Sequence, residues 1–133
     1  MERKKLIEQA MLAKEKAIAP YSHFPVGAAV LTASGKIYDG CNIESSSYGL
    51  TLCAERVALF KALSDGERSF VAVAVAADVD GFCPPCGACR QVLWDFARMA
   101  RVILISKNGH TVEYDMADLF PHAFDQGFLS HEK

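Results

Sequence analysis

The sequence predicts an α/β fold, a three-layer α/β/α sandwich around a mixed five-stranded sheet. Its 133 residues are the size of one domain, and 51% of them are hydrophobic, which is enough for a single buried core. Five short apolar segments typical of strands alternate with three segments of helical periodicity, an order that favours helices on both faces of one sheet. No internal repeat or linker divides the chain. We therefore expect one domain over residues 1–133, with residues 125–133 as a flexible tail.

The first half of the chain predicts a helix, a hairpin and a second helix. Apolar residues recur at three- and four-residue steps over 6–18, which indicates an amphipathic helix that ends before a proline. The segments 26–32 and 36–41 flank a Ser-Gly turn signal and predict two strands of a hairpin. Residues 44–52 are polar and serine-rich, which indicates a loop. The apolar pattern over 54–66 predicts the second helix.

The second half predicts three further strands and one helix. Valine and alanine alternate over 70–77 with no polar face, so we expect a central strand with one crowded side and one side of small residues. A helix is expected over 87–99, followed by strands over 102–105 and 111–114 that an Asn-Gly turn connects.

Charge and hydropathy exclude several classes of protein. The 14 basic and 16 acidic residues give a net charge of −2, and the isoelectric point is near 6.1. This balance argues against binding nucleic acid through phosphate neutralisation and against a polybasic membrane patch. No apolar stretch approaches the roughly 20 residues that span a bilayer. The basic N-terminus lacks a signal-peptide core because Glu8, Lys14 and Glu15 interrupt the apolar residues after it, so we expect a cytoplasmic protein.

Cysteine is the most informative residue type. Five cysteines are an odd number in a chain without a secretory signal, which favours metal binding or catalysis over a disulfide framework. They are Cys41, Cys53, Cys83, Cys86 and Cys89.

Three of these cysteines fall where helices are predicted to begin. Cys86 and Cys89 are three residues apart, so both sulfur atoms lie on one helix face, and Pro85 suits the first turn. Cys53 precedes the second helix. Helix N-termini favour thiolate over thiol, so two of them at one place could supply three thiolates. Zinc suits this set, because catalytic zinc sites use three protein ligands at about 2.3 Å for sulfur and keep one position open.

Glu55 and Arg56 could add chemistry to such a site. In a regular helix Glu55 would point about 200° away from Cys53, so both face one metal only if the helix starts at Cys53. A carboxylate beside a zinc-activated water can take its proton and deliver it later. Three thiolates against Zn²⁺ leave a net charge of −1, and Arg56 is the cation expected to donate to the sulfur atoms.

Other sites fit parts of the same pattern. Cys83, Cys86 and Cys89 follow the spacing of bacterial iron–sulfur proteins, but that motif requires a further cysteine where Leu93 stands. A structural zinc site with four sulfur ligands, the fourth from Cys41 or Cys83, would make the chain a non-catalytic, zinc-stabilised binding module.

The combined motifs resemble those of the small zinc-dependent cytidine deaminases. Residues 53–56 (CAER) and 85–91 (PCGACRQ) match the zinc signature of that family, in its three-cysteine variant. Further matches lie at 21–29 (YSHFPVGAA), 40–44 (GCNIE) and 119–121 (LFP), so the resemblance covers nearly the whole chain. The three-cysteine variant is typical of deaminases of free nucleosides and of their blasticidin-deaminase relatives.

The resemblance implies a role for each matching residue. One Zn²⁺ per chain is held by Cys53, Cys86 and Cys89, and Glu55 carries protons. Asn42 and Glu44 hydrogen-bond the ribose hydroxyls, and Phe24 packs on the pyrimidine ring. The Ala54 backbone helps to hold the base, and Phe124 reaches the site of a neighbouring subunit. The small members of the family form homotetramers, which we expect here.

The residues themselves leave some of these roles open. A strand end at Asn42–Glu44 would direct both side chains to one side and Ile43 into the core, which suits a sugar diol but equally an exposed strand terminus. Phe24 could be an ordinary core residue, and Phe124 could cap the core.

The function implied is hydrolytic deamination of cytidine and 2′-deoxycytidine to uridine and 2′-deoxyuridine, with release of ammonia, in pyrimidine salvage. A deaminase of blasticidin S type is the alternative within the same chemistry. A polynucleotide deaminase is disfavoured by the acidic isoelectric point and by the lack of basic clusters with interleaved aromatic residues.

Overall fold

A computed structural model describes residues 2–129 and contains one five-stranded sheet in the order β2-β1-β3-β4-β5. All neighbouring strands pair antiparallel except β3 and β4, which are parallel, so the sheet is mixed as predicted. The strands are β1 (Val26–Thr32), β2 (Ile37–Cys41), β3 (Phe70–Ala77), β4 (Arg101–Ile105) and β5 (Thr111–Asp115). The helices are α1 (Glu2–Lys14), α2 (Ala54–Ser64), α3 (Gly87–Phe96) and the short α4 (Met116–Leu119), with 3₁₀ turns at Tyr48–Leu50 and Gln126–Phe128.

Helices cover both faces of this sheet, which confirms the three-layer sandwich. Alternate residues of β3 point to opposite faces: Val73 and Val75 pack in the cluster with α2 and α3, whereas Ala72, Ala74 and Ala76 face α1. The small side chains let α1 lie close to the sheet. A Cβ atom at Gly27 of β1 would come 2.1 Å from the α1 carbonyl oxygen of Ala10.

Two helices end earlier than the periodicity predicts. Helix α1 ends at Lys14 rather than near Ile18, because the backbone N–H of Ile18 donates to the carbonyl of Asn42 at 3.0 Å and so leaves the helix. Helix α3 ends at Phe96, before the predicted limit of residue 99, since Ala97 has φ −138° and ψ 39°. Both ends are set by backbone geometry that apolar spacing does not encode.

The C-terminal segment folds back onto α3. The indole N–H of Trp94 donates to the carboxylate of Asp125 at 3.3 Å, and the amide of Gln91 donates to the carbonyl of Phe124 at 2.8 Å. Of the tail predicted over 125–133, residues 130–133 lie outside the described part of the chain. Between residues 2 and 129, no helix combines the length and the apolar character that a membrane crossing needs.

Candidate active site

Three cysteine sulfur atoms meet where α2 and α3 begin. The Sγ atoms of Cys53, Cys86 and Cys89 all lie within 4.8 Å of one another, and those of Cys53 and Cys86 are 3.6 Å apart. A zinc ion with tetrahedral bonds of about 2.3 Å would separate its sulfur ligands by about 3.8 Å. The donor set and its spacing therefore fit one Zn²⁺ per chain.

Local backbone conformation explains why these three residues converge. Cys53 and Cys86 are the N-cap residues of α2 and α3, and both are extended, with φ −76° and ψ 155° for Cys53 and φ −68° and ψ 171° for Cys86. An extended cap turns its side chain out of the helical spiral, so Cys53 need not follow the 100° step to Glu55. Cys89 lies on the first turn of α3, three residues after Cys86. The helix starts at Cys53, as the shared site requires.

The surroundings stabilise negative charge on sulfur. The neighbouring Cys89 thiol and the Arg56 guanidinium favour the thiolate form of Cys53 and lower its pKa to about 5. The proximity of Cys53, together with burial, raises the pKa of Cys89. Before a metal binds, Cys53 is therefore the thiol that ionises first of the two.

The structure places the positive charge of Arg56 next to the sulfur of Cys53. Its Nη2 atom lies 3.5 Å from the Cys53 sulfur and 3.4 Å from the carbonyl oxygen of Thr51. Its Nε atom is buried without a hydrogen-bond partner in the described part of the chain. A cation in contact with the Cys53 sulfur offsets the net negative charge that three thiolates around Zn²⁺ leave.

Glu55 lies at the second position of α2, with its side chain in the same cavity as Cys53 and Cys86. The residue is only 5% exposed. Burial is the main cause that raises the pKa of Glu55 to about 7, and the nearby Cys53 thiolate adds to the effect. A carboxyl group of this kind exchanges protons near neutral pH, as general acid–base catalysis requires.

The cavity of about 230 Å³ brings most of the predicted nucleoside-binding residues together. Phe24, Asn42, Glu44 and Ala54 all line it, together with Glu55 and two of the sulfur ligands. It is smaller than the ~300–1,000 Å³ pockets that hold drug-sized ligands. Its size and lining suit one small polar molecule.

Asn42 and Glu44 are fixed by the segment that precedes β1. The Asn42 side chain accepts from the backbone N–H of Val26 and donates to the carbonyl of Phe24, each at 2.9 Å. The Glu44 carboxylate accepts from the backbone N–H groups of Tyr21 at 3.0 Å and Ser22 at 3.1 Å, and from the Ser22 hydroxyl. These contacts hold both side chains at the cavity wall.

One expectation about side-chain placement is wrong, and the role of Phe124 stays a prediction. The sequence predicts Ile43 in the core, but this residue is 40% exposed. Its backbone pairs with Ile18 on one side and with Leu52 on the other, which leaves the side chain on the outer surface. Phe124 does not line the cavity of its own chain; it is 54% exposed and stacks on Phe128, with ring centroids 5.4 Å apart.

The remaining cysteines do not join the metal ligands. Cys41 donates to the carbonyl of Lys16 at 3.4 Å and lies at the end of β2. Cys83 lines the cavity but is absent from the group of three sulfur atoms. Neither supplies the fourth sulfur that a structural zinc site would need.

Sequence reasoning misses the contacts of Ser22 and the position of Cys83. The stretch 21–29 is a motif of the resemblance, but nothing in it indicates that the Ser22 hydroxyl bonds to Glu44, 22 residues away. The position of Cys83 in the cavity lining has no sequence signal, because a loop cysteine does not indicate which cavity it faces.

Comparison with known proteins agrees with this site. The family model for the cytidine and deoxycytidylate deaminase zinc-binding region matches residues 1–106. A cytidine deaminase of Sporosarcina psychrophila is 52% identical over 132 residues, 98% of this chain and 97% of that protein. One from Halalkalibacterium halodurans is 50% identical over 93% of this chain and 95% of its own length. A blasticidin-S deaminase of Bacillus cereus is more distant, at 33% identity over 72% of this chain and 74% of that protein.

Two solved structures show the same fold. The crystal structure of cytidine deaminase from Burkholderia pseudomallei matches with a TM-score of 0.89 and 48% identity, covering 93% of this chain and all of that one. The cytidine deaminase from Mycobacterium tuberculosis matches with a TM-score of 0.78 and 35% identity over 93% of this chain and 98% of that chain. With the zinc-fitting sulfur group in place, these matches show that the chain belongs to the cytidine and deoxycytidylate deaminase zinc-binding family.

Proposed function

We propose that this chain is a zinc-dependent hydrolase that converts cytidine and 2′-deoxycytidine to uridine and 2′-deoxyuridine with release of ammonia. The observation that carries the proposal is the placement of the buried Glu55 carboxyl in one small cavity with the sulfur ligands. The relatives with at least half of their residues identical, over nearly the whole chain, are cytidine deaminases. The blasticidin alternative is supported by a more distant relative, at 33% identity.

The reaction replaces the C4–amino bond of cytosine with a C4–oxygen bond from water. When bound, the zinc ion acts as a Lewis acid that lowers the pKa of a water molecule to about 7. Glu55 takes a proton from water and delivers it to ring N3 as the oxygen adds to C4. The same carboxyl group then takes the proton of the new C4 hydroxyl and gives it to the amino group, so the C4–N bond breaks, ammonia leaves and the C4 oxygen becomes the carbonyl of uridine. The low exposure of Glu55 keeps these transfers away from bulk solvent.

The other residues of the cavity bind and orient the nucleoside. Phe24 packs on the pyrimidine ring, and the Ala54 backbone holds a polar edge of the base. Asn42 and Glu44 bond the sugar hydroxyls. All four residues line the cavity, which supports these roles. Arg56 stabilises the negative charge of the thiolates through its contact with the Cys53 sulfur.

A homotetramer completes the proposal. A groove of about 730 Å³ beside α2 supports it, because four of its lining residues are apolar (Ile43, Leu52, Val57 and Phe60) and lie next to Tyr38, Lys61, Ser64 and Asp65. Phe124 is exposed and would act in the cavity of a neighbouring copy. Light scattering on the purified chain should give four times the mass of 14.5 kDa; a monomer would contradict this part of the proposal.

The enzyme would serve pyrimidine salvage in the cytoplasm and would not bind nucleic acid. No disulfide joins any of the five cysteines, which supports a reducing compartment. The net charge of −2 and the small cavity favour free nucleosides. The direct test follows the ultraviolet absorbance of cytidine, 2′-deoxycytidine and blasticidin S with purified protein, with metal analysis and a chelator control. Turnover of blasticidin S alone, or zinc-independent turnover of cytidine, would contradict the proposal.

A further inference from the structure

Ser22 lies between two residues that the proposed function assigns to the nucleoside. Its hydroxyl donates to Oε2 of Glu44 and accepts from the backbone N–H of Phe24 at 3.1 Å. Its own backbone N–H donates to Oε1 of Glu44 at 3.1 Å. All three residues line the cavity. One serine therefore links the acceptor for the sugar to the aromatic residue that packs on the ring.

The hydrogen bonds of Glu44 limit what it can offer a substrate. An ionised carboxylate has about four acceptor positions, two on each oxygen. Tyr21 and Ser22 backbone N–H groups occupy those of Oε1, and the Ser22 hydroxyl occupies one on Oε2. One position on Oε2 remains. The bonds from Ser22 also lower the pKa of Glu44, so the carboxylate stays ionised and can only accept.

We propose that Ser22 is a positioning residue for the sugar, which turns Oε2 of Glu44 toward a single sugar hydroxyl. This inference rests on the proposed function. The remaining acceptor position fits one hydroxyl and not the diol, so the Ser22 effect depends on one of the two hydroxyls. Asn42 is committed to Phe24 and Val26 through one donor and one acceptor, and its second N–H is left for the other hydroxyl.

The test compares kcat and KM for four substrates and four proteins. The substrates are cytidine, 2′-deoxycytidine, 3′-deoxycytidine and 2′,3′-dideoxycytidine; the proteins are the wild type, Ser22→Ala, Ser22→Thr and Ser46→Ala. Loss of a hydrogen bond to the partly exposed Glu44 carboxylate should lower kcat/KM of Ser22→Ala on cytidine by about 3- to 30-fold, mainly through KM. For dideoxycytidine and for one of the two monodeoxy substrates, the wild type and Ser22→Ala should be nearly equal.

Two variants separate this role from a general effect on folding. Ser22→Thr keeps the hydroxyl and should recover most of the loss on cytidine. Ser46→Ala removes a hydroxyl from a serine near Glu44 in the chain and should change none of the four activities. Zinc content and the melting temperature of Ser22→Ala should match those of the wild type.

Several results would overturn the inference. Equal losses on all four substrates, or a Ser22→Ala chain that no longer binds zinc, would mean that the Ser22 contact is structural. An unchanged activity on cytidine would mean that the contact is dispensable. A wild-type protein that is inactive on every cytosine nucleoside contradicts the proposed function itself. An active wild type with uniform Ser22→Ala losses contradicts only the role of Ser22.

Discussion

The substitution Glu55→Gln isolates the proton-carrying step. It keeps the shape of the side chain and removes its ability to take or give a proton. Glu55 is 5% exposed and lies in the cavity beside the sulfur ligands. Burying a charge is costly, so a neutral side chain at this position should leave the fold as stable or more stable. We therefore expect the variant to fold and to bind one zinc ion per chain.

The expected loss of turnover is set by the surroundings of Glu55. Removing one acid–base group costs about 10²–10⁴-fold in rate, and Glu55 serves two transfers. The other carboxylate that lines the cavity belongs to Glu44, and its hydrogen bonds to Tyr21 and Ser22 hold it in place. Bulk water has little access to the buried position. We expect kcat on cytidine to fall by about 10³-fold or more, in the upper half of that range.

The assay measures the loss of cytidine absorbance, beside metal analysis and thermal unfolding of the same samples. Glu55→Asp is the matched control, since it retains a carboxyl group that is one methylene further from the substrate. It should keep more activity than Glu55→Gln. Turnover of Glu55→Gln within tenfold of the wild type would refute the proton-carrying role. Loss of zinc from that variant would instead make Glu55 a metal ligand.

Three further variants test the metal site and the packing of the fold. Cys83→Ser should retain one zinc ion per chain by metal analysis, because this thiol lies outside the group of three sulfur atoms. Loss of zinc would instead support a structural site in which Cys83 is the fourth ligand. Arg56→Gln should lower zinc affinity about 10- to 100-fold in a chelator competition, since it removes the cation beside the thiolates; unchanged affinity would contradict that role. Gly27→Ala should destabilise the chain by about 3 kcal/mol or more in thermal unfolding, because the new Cβ meets the carbonyl oxygen of Ala10 at 2.1 Å. Gly81→Ala is the control: open space surrounds this residue, so the variant should unfold like the wild type.

The fold and the metal ligands were predictable because their signals are local. The alternation of valine and alanine over 70–77 assigned one crowded and one small-residue face to β3, and the structure has both. Cys53 and Cys86 stand where helices begin, and a helix start needs only the few residues around it. The zinc-binding set was therefore accessible from spacing together with the family resemblance.

The errors arose where distant contacts decide the local conformation. Ile43 points outward because its backbone pairs with Ile18 and Leu52, and no period within 40–44 encodes either partner. Helix α1 stops early for the same reason, since the N–H of Ile18 bonds to Asn42, 24 residues further along. The hydrogen bond of Ser22 to Glu44 also joins residues far apart in the sequence, and so does the cavity that both residues line.

The position of Phe124 bears on how many chains build one site. Its carbonyl accepts a hydrogen bond from the side chain of Gln91, which lies two residues beyond Cys89 on α3. Asp125 is tied to Trp94 one turn further on. In its own chain the Phe124 ring stacks on Phe128 and does not line the cavity. The proposed homotetramer therefore assigns this exposed ring to the cavity of a neighbouring copy, and a monomeric active enzyme would contradict that assignment.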